Sequence, residues 1–231
     1  LDAGELPLAT HLIELAARAA PEDALIRDTR RRIYEKRAEV DARALFTKLV
    51  ETRLATGEPY IIFIDEVNRT MPKHQRDLGL KVSTSNLCSE ITLPTGPDHL
   101  GNDRTAVCCL SSVNLATWDE WKDNPQFIKD LVRFLDNVLS YFIASAPPEL
   151  SKAVYSASQE RSIGLGAMGF HALLQSYGLA FDSPMAVGIN HKIFKHIKEH
   201  ASQATRELAK ERGAAPDSSL NDPVRNMHLM A

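Results

Sequence analysis

SNLCSEITLP, residues 85–94, sets a cysteine between an asparagine and a carboxylate. Read as a strand, whose side chains alternate faces, it puts Asn86, Cys88 and Glu90 on one side and Leu87, Ser89 and Ile91 on the other. One face carries chemistry and the other packs. A free cysteine in a half-buried strand ordinarily behaves as a small hydrophobe, so its neighbours decide whether Cys88 is structural or reactive. Twenty residues after Cys88 comes Cys108, within TAVCCLSSVNLA (105–116), which reads as a second strand. The Gly, Pro, Asn and Asp cluster of PTGPDHLGND (94–103) reads as the turn that brings it back beside the first. Both thiols then face one cavity, and Glu90 adds a carboxylate able to take or give a proton.

Upstream of this pair, PYIIFIDEVN (59–68) is a short apolar run rich in β-branched residues, the pattern of a strand buried on both faces. Before it, ATHLIELAARAA (9–20) and DARALFTKLVETRLATG (41–57) repeat apolar residues at three- and four-residue spacing and read as helices, the second closed by Gly57. RDTRRRIYEKR (27–37) reads as a solvated helical face, and NRTMPKHQRDLG (68–79) as a loop or short helix. Downstream, WDEWKDNPQFIKDLVRFLDNVLSYFIA (118–144) is long and periodic up to the turn at Pro147 and Pro148. Further helices are expected over 161–177 and 185–212, the last closed by Gly213. Helix, strand, loop, strand and then helices is the order of an α/β fold with a closed or fully covered sheet.

The 231 residues are 44% hydrophobic and carry a formal net charge of -3, enough apolar material for a core and no basic field of the kind nucleic acid needs. No stretch reads as a membrane span or signal peptide. Three cysteines, two of them adjacent, are not an extracellular disulfide framework, which points to a reducing, cytoplasmic setting. Leu1 is no translation start and RNMHLMA (225–231) stops without a turn, so the chain reads as a piece of a longer polypeptide.

Four other features are read as structural. GLGAMG (164–169) matches G-x-G-x-x-G, but the polar, helix-like YSASQERSI precedes it where a dinucleotide site needs a buried strand, so close helix packing is the reading. His196 and His200 lie four apart on a helix, yet Lys192, Lys195 and Lys198 crowd that face, favouring a solvated surface over a metal site. His171 reads as a satisfied core histidine. Asp65, Glu66 and Asn68 end the expected strand, where turn-forming roles explain them as well as a pocket would.

SNLCSEITLPT, AVCCLSSVNLA, RSIGLGAMGFHALLQ and RNMHLMA together resemble the catalytic large subunit of ribonucleotide reductase, and LFTKLVETRLATGEPYIIFIDEVN resembles the helix and strand leading to that family's active-site loop. The resemblance implies part of a ten-stranded α/β barrel with surrounding helices. Residues 1–39 would be a helical N-terminal segment, and 40–231 a partial catalytic barrel domain with its active-site loop near 85–91. Cys88 matches the cysteine that becomes a thiyl radical and removes the C3' hydrogen of the ribose. Glu90 matches the base for the 3'-hydroxyl proton, Asn86 the amide that hydrogen-bonds the ribose hydroxyls with Ser85 beside it, and Cys108 one of the two reducing thiols.

The family's second reducing thiol lies on an earlier strand, and no cysteine precedes Cys88 here. Cys109 should face the other way from Cys108 and pack against the helices after Thr117. The effector-binding regions, the phosphate-binding segment expected beyond Ala231 and the C-terminal tyrosines and cysteines of class I enzymes are also missing. The resemblance implies no metal or cofactor in this chain. The parent enzyme would need a radical generator, either the metal cofactor of a small subunit or adenosylcobalamin, and a thioredoxin or glutaredoxin as reductant, with the rest of the large subunit as further partner. A thiol-dependent transferase, or a non-catalytic scaffold, are the alternatives.

Overall fold

A computed structural model describes Arg27 and residues 41–227. The chain divides into two compact units, Leu1–Tyr60 and Ile61–Ala231. The expected helix at 9–20 lies outside the described residues, as does nearly all of 27–37. In the first unit α1, Ala42–Thr56, starts where the Asp41 carboxylate accepts from Ala44 N at 2.7 Å and ends where Gly57 takes φ 80°. Glycine carries that left-handed turn without steric cost, so this boundary is written in the sequence.

In the second unit, α2 (Ile64–Thr70) and α3 (Lys73–Asp77) come first. The strand expected at 59–68 is not there: residues 60–63 are irregular and exposed, and helix begins at Ile64. A strand buried on both faces needs a neighbour along each edge, and among the described residues none pairs with this run. The 85–94 stretch is likewise a loop rather than a strand. A hairpin of β1 (Gly96–Pro97) and β2 (Asp103–Arg104) follows, as the turn residues predict.

β3, Leu110–Asn114, pairs in parallel with β4, Gly164–Met168, from Leu110 opposite Gly164 to Asn114 opposite Met168. Two expectations are corrected here. The second cysteine segment pairs with the GLGAM run and not with the first cysteine segment, and GLGAM is a strand and not part of a helix. A parallel partner requires a long crossover, which a ten-residue loop cannot supply. The crossover is built from a 3-10 turn at Leu115–Thr117, α4 (Trp118–Trp121), α5 (Pro125–Ser145), a second 3-10 turn at Pro148–Leu150, and α6 (Ser151–Glu160). After β4 come α7, Phe170–Ser176, and the long α8, Pro184–Arg212, which ends at Gly213.

The core sits between α5, α8 and the β3–β4 pair. Ile128, Val132, Leu135 and Leu139 recur at the spacing of one helical face, and Ile193, Ile197, Ala201, Ala204 and Leu208 form the matching stripe on α8. The alanines let the two helices come close. Lys129 with Glu207 at 2.9 Å and Arg133 with Glu211 at 2.7 Å flank the seam. Both partners advance by four residues together, so α5 and α8 run in the same direction. This is the arrangement of helices that each follow a strand of one parallel sheet. Asp136 is fully buried in this region and gathers the Arg161, Arg212 and Arg225 guanidiniums and the Asn226 amide, at 2.7–3.2 Å.

Two histidine readings change. His171 is exposed, its ring edge-on to Phe181, rather than a core residue. His196 is half-buried against Trp118 and Trp121 with its ring centroid 4.4 Å from that of His200, while Lys192, Lys195 and Lys198 beside it stay exposed as expected.

Candidate active site

The 85–91 loop closes on itself through Asn86. Its amide donates to Glu90 Oε1 at 2.7 Å, and its Oδ1 accepts from Ile91 N at 3.0 Å. Ser85 Oγ donates to the Ile91 carbonyl at 2.6 Å, and Ser89 N donates to the Asn86 carbonyl at 3.0 Å. Ser89 has φ 65°, an uncommon conformation for a residue with a side chain, and the chain reverses there. Cys88 therefore stands at the apex of a tight turn as an exposed free thiol. Asn86 and Glu90 do end on the same side, as alternation predicts, but a turn joins them instead of a pleat.

The second thiol segment is fixed from two sides. Thr105 N donates to Ser156 Oγ on α6 at 2.8 Å, and Gly164 N donates to the Cys109 carbonyl at 2.8 Å, which starts the β3–β4 ladder. Cys109 is half-buried, packs on the core and has its sulfur 3.7 Å from the Leu135 carbonyl of α5. Cys108 is more exposed and lines a cavity of about 80 Å³ together with Glu90, Thr92, Ser162 and Gly164, and Cys109, expected to face wholly away, lines it too. Burial, and next the nearby Glu90 charge, push the Cys108 thiol up from its ordinary value. A thiol so shifted stays protonated at neutral pH, which suits delivery of hydrogen more than nucleophilic attack.

The structure thus brings Glu90 and Cys108 to one cavity, with Asn86 bonded to Glu90. Cys88, Ser85 and Asn86 are not in the cavity wall, and the three cysteines are all unbonded. Ser162 and Gly164 belong to the wall and were missed by the sequence reading. An apolar run of strand length, IGLGAM, after the polar helix is the signal that could have found them. Asn68 is structural: its side chain donates to the Val82 carbonyl at 2.8 Å and accepts from Val82 N at 2.9 Å, imitating a strand partner. Among the described residues no three His, Cys, Asp or Glu side chains cluster as a metal site would require. No described helix is long and apolar enough to cross a membrane.

Beside the cavity lies a buried ionic cluster that anchors β2. Arg104 donates to Asp98 at 3.1 Å and to both oxygens of Asp217, while the Tyr155 hydroxyl donates to Asp98 at 2.8 Å. Burial alone would raise the Asp98 carboxyl. The hydrogen bonds from Tyr155, from the Asn102 and Leu100 amides and from Arg104 bring it down to about 2 instead.

The sequence profile described as "Ribonucleotide reductase, barrel domain" matches residues 14–228. The chain belongs to the ribonucleotide reductase barrel-domain family. It is 50% identical over 178 residues to the ribonucleoside-diphosphate reductase large subunit of Invertebrate iridescent virus 3, covering 77% of this chain and 28% of that protein. It is 32% identical over 221 residues to the vitamin B12-dependent ribonucleoside-diphosphate reductase of Mycobacterium tuberculosis, covering 92% of this chain and 30% of that protein. Among solved structures, the class Id ribonucleotide reductase alpha subunit of Actinobacillus ureae superposes with a TM-score of 0.74 at 40% identity, covering 81% of this chain and 35% of that one. The chain spans about a third of the length of these relatives. The α/β reading of the fold holds, and the parallel β3–β4 pair with its following helices is a piece of the ribonucleotide reductase barrel.

Proposed function

We propose that this chain is the catalytic core segment of a ribonucleotide reductase large subunit that converts ribonucleoside diphosphates to deoxyribonucleotides for DNA replication. One observation carries the reading: a loop that closes through an Asn86–Glu90 hydrogen bond, holds the Cys88 thiol at its apex and puts Glu90 on the wall of the cavity shared with Cys108.

An external one-electron oxidant first takes the hydrogen atom of Cys88. The resulting thiyl radical removes the C3' hydrogen atom of the ribose. Glu90 takes the 3'-hydroxyl proton, while Asn86, fixed by Ser85 and the loop backbone, holds the sugar hydroxyls. The C2'–O bond then breaks and the oxygen leaves as water. Two thiols supply the electrons by closing to a disulfide, Cys108 being one. Cys88 returns its hydrogen atom to C3', so the net exchange is one ribonucleotide and two thiols for one deoxyribonucleotide, one disulfide and one water. The protein's part is to hold these groups in register and keep the radical from water.

The second reducing thiol, the radical generator and the thioredoxin or glutaredoxin that reopens the disulfide are assigned to partners outside the described residues. The generator is either a small-subunit metal centre or adenosylcobalamin, and the setting is the reducing cytoplasm. A transferase using Cys88 would need a nearby histidine base, and neither cysteine segment has one.

The test is Cys88→Ser in the complete large subunit carrying this sequence, assayed for deoxyribonucleotide formation with its radical source. Serine keeps the size and polarity, but its O–H bond is too strong to yield a radical. Reduction should vanish while nucleotide binding survives, and product at the parental rate would refute the assignment.

A further inference from the structure

The turn that lifts Cys88 is bonded to itself. Among the described residues, every hydrogen bond made by 85–91 stays within residues 84–91. The turn therefore rides on two arms, residues 80–84 coming in and 92–95 going out, and where Cys88 stands is decided by whatever holds those arms. Leu80, Val82 and Leu93 are buried and anchor them by apolar contact. Apolar contact has no direction, so it fixes the depth of an arm better than its register. Hydrogen bonds fix register, because they weaken steeply when bent or stretched.

The incoming arm is hydrogen-bonded along both edges. On its inner edge Thr95 N donates to the Lys81 carbonyl at 3.0 Å, and Ser83 N donates to Thr95 Oγ1 at 3.3 Å, which ties the arms to each other. On its outer edge stands Asn68, from the last turn of α2. Its Nδ2 donates to the Val82 carbonyl at 2.8 Å, and its Oδ1 accepts from Val82 N at 2.9 Å. Backbone groups of an extended chain alternate sides, so Lys81 and Ser83 serve Thr95 while Val82 serves Asn68. The second Nδ2 hydrogen goes to the Ile64 carbonyl at 2.9 Å, which fixes the amide to its own helix. Both donors and the acceptor are engaged, and one side chain couples α2 to the arm six residues before Cys88.

We propose that Asn68 is a positioning residue for the radical chemistry: its clamp on Val82 sets the register of the incoming arm and so the place of the Cys88 thiol relative to Glu90 and the thiol cavity. The inference rests on the reading of this chain as a ribonucleotide reductase core. Asn68 touches neither the thiols nor the cavity wall, and it acts through the arm alone. Hydrogen-atom transfer needs its partners in near contact, so a shift of the arm that barely disturbs nucleotide binding still slows the reaction.

The experiment compares Asn68→Ala with the parent in the complete large subunit carrying this sequence, by amide hydrogen exchange with mass spectrometry and by steady-state reduction of a ribonucleoside diphosphate. Exchange in the 84–93 segment should quicken about tenfold, as expected on losing one or two neutral hydrogen bonds at the base, while α5 and α8 exchange as in the parent. Turnover should fall about ten- to a hundredfold, and nucleotide Kd should change by less than about threefold. Asn68→Asp keeps the shape and the acceptor for Val82 N but has no N–H for the Val82 and Ile64 carbonyls, so it should move both readouts the same way even if the alanine variant does not fold. Faster exchange confined to Val82 and Ser83, parental turnover in a folded variant, or a turnover loss accompanied by faster exchange across α5 and α8 overturns the inference and leaves the family reading intact. A parent that reduces no ribonucleotide overturns that reading, and this inference with it.

Discussion

Replacing Gly169 with alanine tests whether the turn between β4 and α7 is held by contact as well as by backbone conformation. Gly169 has φ 77°, and a Cβ built on it would lie 2.4 Å from Asn114 Oδ1 and 3.0 Å from the Ala116 amide nitrogen. That Asn114 oxygen accepts from Ala116 N at 3.0 Å and so caps the turn that leads β3 into its crossover. An alanine must therefore adopt the left-handed region, which costs about 1–2 kcal/mol. It must also displace the cap, which costs about another 1 kcal/mol. The sum is about 2–3 kcal/mol. Gly178 supplies the control, since it has φ 66° and nothing within 4 Å of its built Cβ. Gly178→Ala should lose only the backbone part. Urea denaturation of both variants, followed by far-UV circular dichroism, measures the difference directly. If the two alanines cost the same, the contact between Gly169 and the end of β3 contributes nothing and the reasoning fails.

Asp136→Asn should cost about 3–5 kcal/mol, because the amide leaves three guanidiniums around a buried position without their counter-charge. The parental Asp136 carboxyl is held below its ordinary value against burial by hydrogen bonds from Arg161 and Asn226, so its contribution is present above the unfolded-state value of about 4 and lost as pH falls through the folded one. Stability measured from pH 6 down to 2 should lose that limb in the variant, and an unchanged acid limb would count against the assignment. Glu160 works with the opposite sign. Its folded value near 8 lies above the ordinary 4.5, so the folded state holds a proton that the unfolded state has released, and stability falls as pH rises between those values. Glu160→Gln should remove this slope and be more stable than the parent at pH 7 by on the order of 3 kcal/mol. A parental slope that survives in Glu160→Gln would show that another group titrates.

The sequence by itself determined the short-range features. Asp41 and Gly57 bound α1, the apolar spacing of 128–139 and 193–208 gives two amphipathic helices, and the Gly- and Asn-rich 94–103 gives the hairpin. These depend on side chains within a turn or two of one another, which a linear reading can see. The family resemblance was legible as well, because Asn86, Cys88, Glu90 and Cys108 stand in short, specific motifs.

Only the tertiary structure decided which segments meet. SNLCSEI alternates like a strand, yet its backbone hydrogen bonds are met locally by the Asn86 and Ser85 side chains, so it turns and lifts Cys88 to an apex. GLGAM carries three helix-compatible side chains and two glycines, and it becomes a strand because the exposed ladder edge of β3 and the close approach to Asn114 take that shape from it. PYIIFI has the composition of a buried strand and stays irregular where no described neighbour pairs with it. Parallel pairing joins residues some fifty positions apart, and a buried carboxyl such as Glu160 owes its raised value first to burial, against the pull of the Arg104 charge and with Asp217 adding to it, in surroundings that separate segments bring together. Such long-range contacts leave no periodicity to read, since the partner that fixes each segment lies far along the chain.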